Sequence, residues 1–399
     1  MSNEILKPAV DSAVNNNISF CKFLSANDTG ATGGHQSGIL VSKTAKDLLF
    51  PGVVLEGILK RDVKIKWQDD FITDSSFTYY SSKNELRITK FGRGFPLLKP
   101  EQTGALFIFT KQSEEDYSGY ILETEEEIEE FLDTFGISST ETNCIFGSGG
   151  IQRNEKEMLE IEKYIKTLDV EFPETGEMSS AAQKISDEVY NHIEYLCTNP
   201  DKKIIEWTNM EYTLFRAIEQ SRYGNIVKEG FPSVEEFVKM ANSVLNRRKS
   251  RAGKSLEHHL EAIFDANSIQ YTSQAITEGN KKPDFIFPSE EAYHNFDFPT
   301  NSINSLAAKT TCKDRWRQVL NEANRLRDKD KFLCTLQQGI SPAQMDEMQE
   351  EQVILVVPKP YISCYPTDRQ NRIWTVSRFV SYVKGIQKEQ ALMPNPALS

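Results

Sequence analysis

Residues 278–322 carry the groups most able to do chemistry. Pro283-Asp284 leads into the apolar run Phe285-Ile286-Phe287, and a second short apolar segment, Leu306-Ala307-Ala308, ends on Lys309. A helix is expected to start near Thr310-Thr311 and to carry Lys313, Asp314, Arg315, Trp316 and Glu322. An acid at the start of one strand, a lysine at the end of its neighbour and another acid close by can bind a divalent cation and set water against a phosphate. That is phosphodiesterase chemistry. Pro-Asp alone also marks ordinary turns, because proline fixes φ and aspartate hydrogen-bonds the local backbone.

The upstream run NRRKSRAGKSLEHHLEAIF (246–264) begins with a cation cluster and becomes an amphipathic helix, with Glu257 and Glu261 four apart on one face. AGKS is not a phosphate loop, since the first glycine of that motif would fall at Arg248. Nearer the N-terminus, SANDTGATGGHQ (25–36) is a glycine-dense loop between two strands. It lacks G-x-G-x-x-G, so a dinucleotide fingerprint is excluded. In SSKNELRITKFGRGFPLL (81–98), Lys83, Arg87, Lys90 and Arg93 recur beside Asn84, Glu85 and Phe91. Such a strand and loop can hold phosphates while reading base edges, or can simply protect a sheet edge with charge.

Together these stretches closely resemble the EcoRII-type restriction endonucleases, whose catalytic half belongs to the PD-(D/E)XK nuclease superfamily. In this branch the last acid has moved onto the helix after the lysine. The resemblance implies that Asp284 and Glu322 are metal-binding acids, Lys309 the catalytic lysine and Glu257 an assisting acid. It assigns Lys313, Asp314 and Arg315 to reading G·C pairs and Lys249 to DNA. An effector domain of that type carries a near-identical glycine loop on a B3-like barrel. There the resemblance assigns DNA contacts to Lys22 and His35, and to Asn84, Glu85, Arg87, Lys90 and Arg93 on a second arm. Lys83 stands where an arginine is expected. The implied enzyme is a Mg²⁺-dependent homodimer cutting double-stranded DNA at a short GC-flanked site of the CCWGG kind. Its first domain would bind a second copy of the site and autoinhibit the nuclease, and a cognate DNA methyltransferase would act on the same site. The alternative is a non-catalytic, two-domain DNA-binding regulator.

These residues need two kinds of scaffold. A chain of 399 residues suggests two or three domains, and 39% hydrophobic with 26% charged residues suits ordinary globular cores. VVLEGIL, VKIKW, SFTYYSS, ELRITKFG and GALFIFT (52–110) read as strands of a barrel-like domain. ETEEEIEEFLDTF reads as an acidic helix buried through Ile128, Phe131 and Leu132. GSGG (147–150) and EKEMLEIEKYIKTLD read as a hinge, with the effector domain at 1–171 and the nuclease domain at 172–399. From Ala181 to Phe264 apolar residues recur at helical spacing, Ser233 with Glu236 forms a capping box, and Trp207 falls between two helices. Trp207 is either core or a stacking platform for an unstacked base. KFLCTLQQ and the continuously apolar VILVVP read as buried strands, AQMDEMQEE as a short helix and WTVSRFVSYVKGIQ as a covering helix. The expected fold is thus a B3-type β-barrel followed by an α/β restriction-endonuclease domain, a mixed sheet flanked by helices.

The net charge of −12 weighs against non-specific DNA binding. Ten acidic and no basic residues lie between Ser113 and Asp133, whereas Arg247, Arg248, Lys249, Arg251 and Lys254 fall within eight positions. A groove is set by its own lining, so specific binding is not excluded. Six cysteines without a C-x-x-C pair suggest free thiols in a reducing cytoplasm, and five histidines not clustered with cysteine offer no zinc site. The N-terminus has no secretory pattern, and no apolar run is long enough to span a bilayer.

Overall fold

The structure, a computed structural model, describes residues 5–16, 18–33, 38–147 and 155–392. The chain divides into two compact units. One is Met1–Gln152 with Gln337–Asp346 and Tyr361–Gln370; the other is Arg153–Leu336 with Glu347–Pro360 and Asn371–Ser399.

In the first unit the elements run α1 (Leu6–Asn15), β1 (Ser19–Phe23), β2 (Ile39–Val41), α2 (Lys46–Leu49), β3 (Ile58–Trp67), β4 (Ile72–Tyr80), β5 (Glu85–Thr89), β6 (Leu106–Lys111), β7 (Asp116–Leu122), α3 (Glu125–Phe135) and β8 (Cys144–Phe146). The eight strands form one sheet in the order β2-β5-β4-β3-β7-β6-β1-β8, parallel only at β3–β7. Its two ends meet: the Ser42 amide after β2 donates to Asn143 Oδ1 before β8 at 2.9 Å. The sheet therefore curls into a barrel-like form. Side chains alternate across a strand, so Phe107 and Phe109 of β6 join an inner core with Trp67, Phe77 and Tyr117. Leu106 and Ile108 pack outward with Cys21, Phe23 and Phe131 beneath α1 and α3. A strand buried on both faces needs the continuous apolar run that β6 has. Thr124 and Glu127 cap α3 reciprocally, and Gly136 ends it at φ 61°. VVLEGIL, expected as a strand, forms none before Ile58.

The second unit contains α4 (Glu155–Lys166), α5 (Thr175–Tyr190), α6 (Tyr195–Thr198), α7 (Pro200–Glu229), α8 (Val234–Ala266), β9 (Thr272–Ser273), β10 (Phe285–Phe287), α9 (Glu290–His294), β11 (Asn304–Lys309), β12 (Lys331–Thr335), β13 (Val353–Val356) and α11 (Val376–Leu392); α10 (Pro342–Glu350) straddles the two units. Its sheet has the order β13-β12-β11-β10-β9, parallel from β11 to β13 and antiparallel at both edges of β10. A barrel-like unit followed by a mixed sheet with helices is the expected architecture. Among the described residues no helix is long and apolar enough to cross a membrane.

Several expectations need correction. Ile161 of α4 packs in one core with Met178, Met210 and Leu214, so the charged segment expected as a hinge belongs to the second unit, and the division falls after Gln152, well before residue 172. From Ser148 to Asn154 the expected hinge lies outside the described residues. Trp207 is not in a loop. It is 2% exposed in the middle of α7, with Nε1 donating to Asp187 Oδ1 at 3.4 Å and Lys203 over its ring, which is the core reading. Two expected helices fuse into α8, whose 33 residues pass through Gly253. At 1.5 Å per residue it spans about 50 Å. No α-helix follows Lys309 either; residues Arg315–Asn321 form a 3₁₀ helix. Side chains three apart eclipse in that form. Trp316 and Val319 are buried along one ridge, and Glu322 continues it.

Candidate active site

The antiparallel register sets Phe285 opposite Leu306. This brings the residue before β10 to the end of β11, and so Asp284 to Lys309. Asp284 is 6% exposed; its Oδ2 accepts from the Ala308 amide at 2.8 Å and from Lys309 Nζ at 3.2 Å. Two residues 25 apart in sequence thus meet through strand pairing alone.

Helix α8 delivers Glu257 to the same place. It is buried, and Lys254, one turn earlier, donates to both its carboxylate oxygens at 3.0 and 2.8 Å. Gln274, just past β9, donates from Nε2 to Glu257 Oε2 at 2.9 Å and to Asp284 Oδ1 at 3.1 Å. A single amide therefore bridges the two acids. Glu322 is held by its backbone: Thr277 Oγ1 donates to its carbonyl, and Glu278 accepts from the Asn324 amide at 3.2 Å and from Tyr293 at 2.6 Å. Arg325 fastens the same turn by donating to the carbonyls of Ala292, Asn295 and Phe298.

The electrostatics fit three acids converging on one lysine. Burial, and then Asp284, push the Glu322 carboxyl up to about 7, against the pull of Lys309 and Lys281. Burial also raises Glu257; its bond from Lys254 opposes this and Asp284 adds to it. For Lys309 burial works against the charge, but Asp284, Glu322 and Glu257 more than offset it and hold the ammonium protonated. Three acids thus face Lys309, with Lys254 and Lys281 beside them, and burial raises two of the three carboxyls. Among the described residues no three His, Cys, Asp or Glu side chains close into a ready metal shell. A cation that keeps several waters and takes one or two carboxylates plus substrate oxygens does not need one.

The other residues singled out from sequence fare differently. Lys313 is buried, Arg315 half-buried and Asp314 exposed, on the loop and 3₁₀ turn beside the buried Trp316. Lys249 is exposed on α8. Its neighbours do not form the expected cationic lining. Arg248 forks onto Glu219 at 2.9 and 2.8 Å, Arg247 pairs with Glu171, and Arg251 is buried against Glu211 with its guanidinium over Tyr212. Only one side of a packed helix faces inward, and neighbouring residues fall on different sides, so a cluster in sequence is not a cluster on a surface.

In the first unit Lys22 is buried, with Nζ 2.7 Å from Asp28 Oδ2 and 2.7 Å from the Leu40 carbonyl. Its ammonium ties the start of the glycine loop to β2. Arg87 donates twice to Glu85 Oε2, at 3.1 and 3.0 Å, from the same face of β5. Asn84, at φ 53°, accepts from the Tyr79 hydroxyl, and Lys90, at φ 61°, donates to Asp62. Arg93 is exposed, and His35 lies outside the described residues.

Sequence reasoning missed Gln274, Lys254, Thr277, Glu278 and Arg325. The spacing of Lys254 and Glu257, three apart on one helix, was a usable signal. A glutamine after a two-residue strand carried none.

Comparison with known proteins bears on the whole chain. Residues 215–380 match the family model described as EcoRII C terminal, and residues 13–137 the one described as Restriction endonuclease EcoRII, N-terminal. The Type II restriction enzyme EcoRII of Escherichia coli is 36% identical over 403 residues, covering 94% of this chain and 96% of that protein. The Type II restriction enzyme SsoII of Shigella sonnei is 28% identical over 127 residues, covering 29% of this chain and 40% of that one. Among solved structures, metal-depleted Ecl18kI in complex with uncleaved, modified DNA aligns at a TM-score of 0.47 with 19% identity, covering 60% of this chain and 86% of that chain.

Proposed function

The chain belongs to the EcoRII family of type II restriction enzymes, and from that premise we propose how this site-specific DNA nuclease cuts and is controlled. The observation that carries the mechanism is the meeting of Asp284 and Lys309 across the β10–β11 register, with Glu257 and Glu322 alongside.

The donor set is all carboxylate oxygen, which suits a hard cation and fits Mg²⁺. Asp284 and Glu322 would hold it, with Glu257 assisting. Bound there, Mg²⁺ supplies a lowered water pKa and charge neutralisation at the phosphate. Lys309 keeps its proton and sets a positive charge against the non-bridging phosphate oxygens. The buried β10–β11 edge fixes Asp284 and Lys309 relative to one another, so little is left to organise when DNA arrives. Incubating the purified protein with phage DNA and Mg²⁺ tests this: discrete fragments are expected from the parent and none from Asp284→Asn.

The recognition site is of the CCWGG kind. Arg315 can donate to guanine O6 and N7, and Asp314 can accept from cytosine N4, with Lys313 as a further donor and Lys249 on a phosphate. One such site hydrolyses one strand at a time, and a homodimer would supply a second site for the other strand. Val227, Val234, Phe237 and Val238 are exposed at the join of α7 and α8, a surface that supports pairing with a second copy. The first unit has no comparable group of acids and lysine among its described residues. Its task is to bind a second copy of the site through Asn84, Glu85, Arg87, Lys90, Arg93 and His35, and to restrain the nuclease until it does. A cell holding such an enzyme needs its own copies of the site masked, hence a cognate methyltransferase.

A further inference from the structure

Gln274 lies outside every motif that suggested the site, yet it touches two of the three acids. It follows β9 at φ 52°, a left-handed conformation that costs a non-glycine residue strain. Its own amide N–H donates to the Asp284 carbonyl at 3.0 Å, so the backbone is fastened to the residue its side chain serves. The orientation of the side-chain amide follows from its partners. Both are carboxylate oxygens, which only accept, so Nε2 must face them. The two contacted oxygens, Glu257 Oε2 and Asp284 Oδ1, belong to different elements, α8 and the start of β10. Asp284 Oδ2 is tied separately to Ala308 and Lys309, while Lys254 reaches both oxygens of Glu257.

We propose that Gln274 is a positioning residue whose amide bridges Glu257 and Asp284 and holds them at the spacing that receives the divalent cation. The inference rests on the reading of Asp284 as a metal-binding acid. Without the bridge two buried carboxylates repel, and the cation must draw them together as it binds. With it, each carboxylate keeps lone pairs free while its position is fixed. The amide is neutral, so it orders the acids without competing with the cation as a lysine would.

The test is calorimetric titration of Mn²⁺ into the full-length, DNA-free protein, alongside cleavage rate against Mn²⁺ concentration. Gln274→Leu is expected to bind Mn²⁺ about tenfold more weakly, the scale of one hydrogen bond to a charged group. It should need correspondingly more Mn²⁺ for half-maximal cleavage while its rate at saturation stays within about twofold of the parent. Unchanged Mn²⁺ affinity, or a rate that saturating Mn²⁺ does not restore, overturns the proposal. Gln274→Glu keeps the size but cannot donate. Its metal-free melting temperature should fall and Mn²⁺ should raise it by more than in the parent, whereas melting like the parent without metal overturns the bridge. Asp284→Asn separates the two ideas: if it binds Mn²⁺ as tightly as the parent, the metal-ligand reading itself has failed.

Discussion

Each unit of this protein buries a lysine–aspartate pair, and the two pairs do different work. In the first unit Lys22 and Asp28 lie 2.7 Å apart with side chains 7% and 0% exposed. Asp28 also accepts from the Ser25 amide and hydroxyl and from the Leu40 amide, and Lys22 donates to the Leu40 carbonyl. Every strong donor there meets an acceptor, and the result is a fixed loop. In the second unit Lys309 and Asp284 lie 3.2 Å apart with side chains 26% and 9% exposed. Here Glu257 and Glu322 join the pair in a half-buried cluster, and both acids are pushed upward, chiefly by burial. A closed circuit of polar groups gives shape. One whose carboxyls are raised and which is partly open to solvent is a candidate functional site.

The sharpest way to break this contrast is to neutralise both aspartates. Asp284→Asn is expected to abolish cleavage, by more than about a thousandfold, while leaving folding and specific DNA binding intact. Asp28→Asn should do the reverse. Removing one partner of a buried pair leaves the other charge uncompensated, at about 3 kcal/mol of stability. Thermal melting and fragment analysis on the two variants read both effects. Near-normal cutting by Asp284→Asn, with Mg²⁺ supplied, would sink the assignment.

The second largest effect tests the proposed restraint of the nuclease by the first unit. A docking free energy of about 3 kcal/mol would keep the open form below about one per cent. A shortened chain beginning at Arg153, which retains α4 in its core, is expected to cut a single-site plasmid up to about a hundredfold faster than the full chain. A folded but slower shortened chain would make the first unit an activator.

What was legible beforehand follows the same division. Asp284 and Lys309 were readable because a strand start and a strand end need only an antiparallel register to meet. The barrel strands and the buried β13 were readable from alternation and from continuous apolar runs. The pairing of Lys22 was legible in principle: a lysine inside SFCKF, a strand buried on both faces, is expected to meet an acid. Gln274 was out of reach, since it acts where α8, β9 and β10 converge and no local pattern records that. The segment after Lys309 was misassigned because its buried residues, Trp316 and Val319, are three apart, a spacing that the 3₁₀ and α forms share.

The raised Glu322 carboxyl has a pH signature. Its carboxyl moves from an ordinary 4.5 to about 7 in the folded chain. Between those values the folded state holds a proton that the unfolded state has lost, so stability falls as pH rises through that window. The loss is complete above about pH 7 and absent below the ordinary value. Glu322→Gln should therefore stabilise the metal-free protein by about 2 kcal/mol at pH 8, with the difference vanishing near pH 4. Cleavage by the parent should fall below about pH 7, and more Mg²⁺ should move that midpoint downward, because cation and proton compete. A stability difference that does not change with pH would show that the Glu322 carboxyl is not raised. At the turn proposed to read the DNA, Arg315→Ala should cost about 1–3 kcal/mol of discrimination at one guanine position. An equal loss on cognate and random DNA would make Arg315 a phosphate contact.

The smallest expected effect sharpens the comparison within a single helix. Arg251 and Lys249 are two positions apart on α8. The first is 4% exposed, pairs with Glu211 and stacks on Tyr212, whereas the second is exposed. Residues two apart point to different sides of a helix, so identical charge takes opposite roles. Burial alone would raise the Glu211 carboxyl, but its bond to His259 and the charges of His259 and Arg251 hold it well down, at about 2. Arg251 is thus a buried, paired cation, as Lys22 is. Lys249 has the open role, and its charge can be neutralised by a DNA phosphate. Lys249→Ala should weaken binding by about 1 kcal/mol or less, equally on cognate and random sequences, without moving the melting temperature. The slope of log affinity against log salt should fall by about one, as one phosphate contact is lost. An unchanged slope would mean that Lys249 faces solvent in the complex as well, and that the reach of the DNA along α8 ends before it.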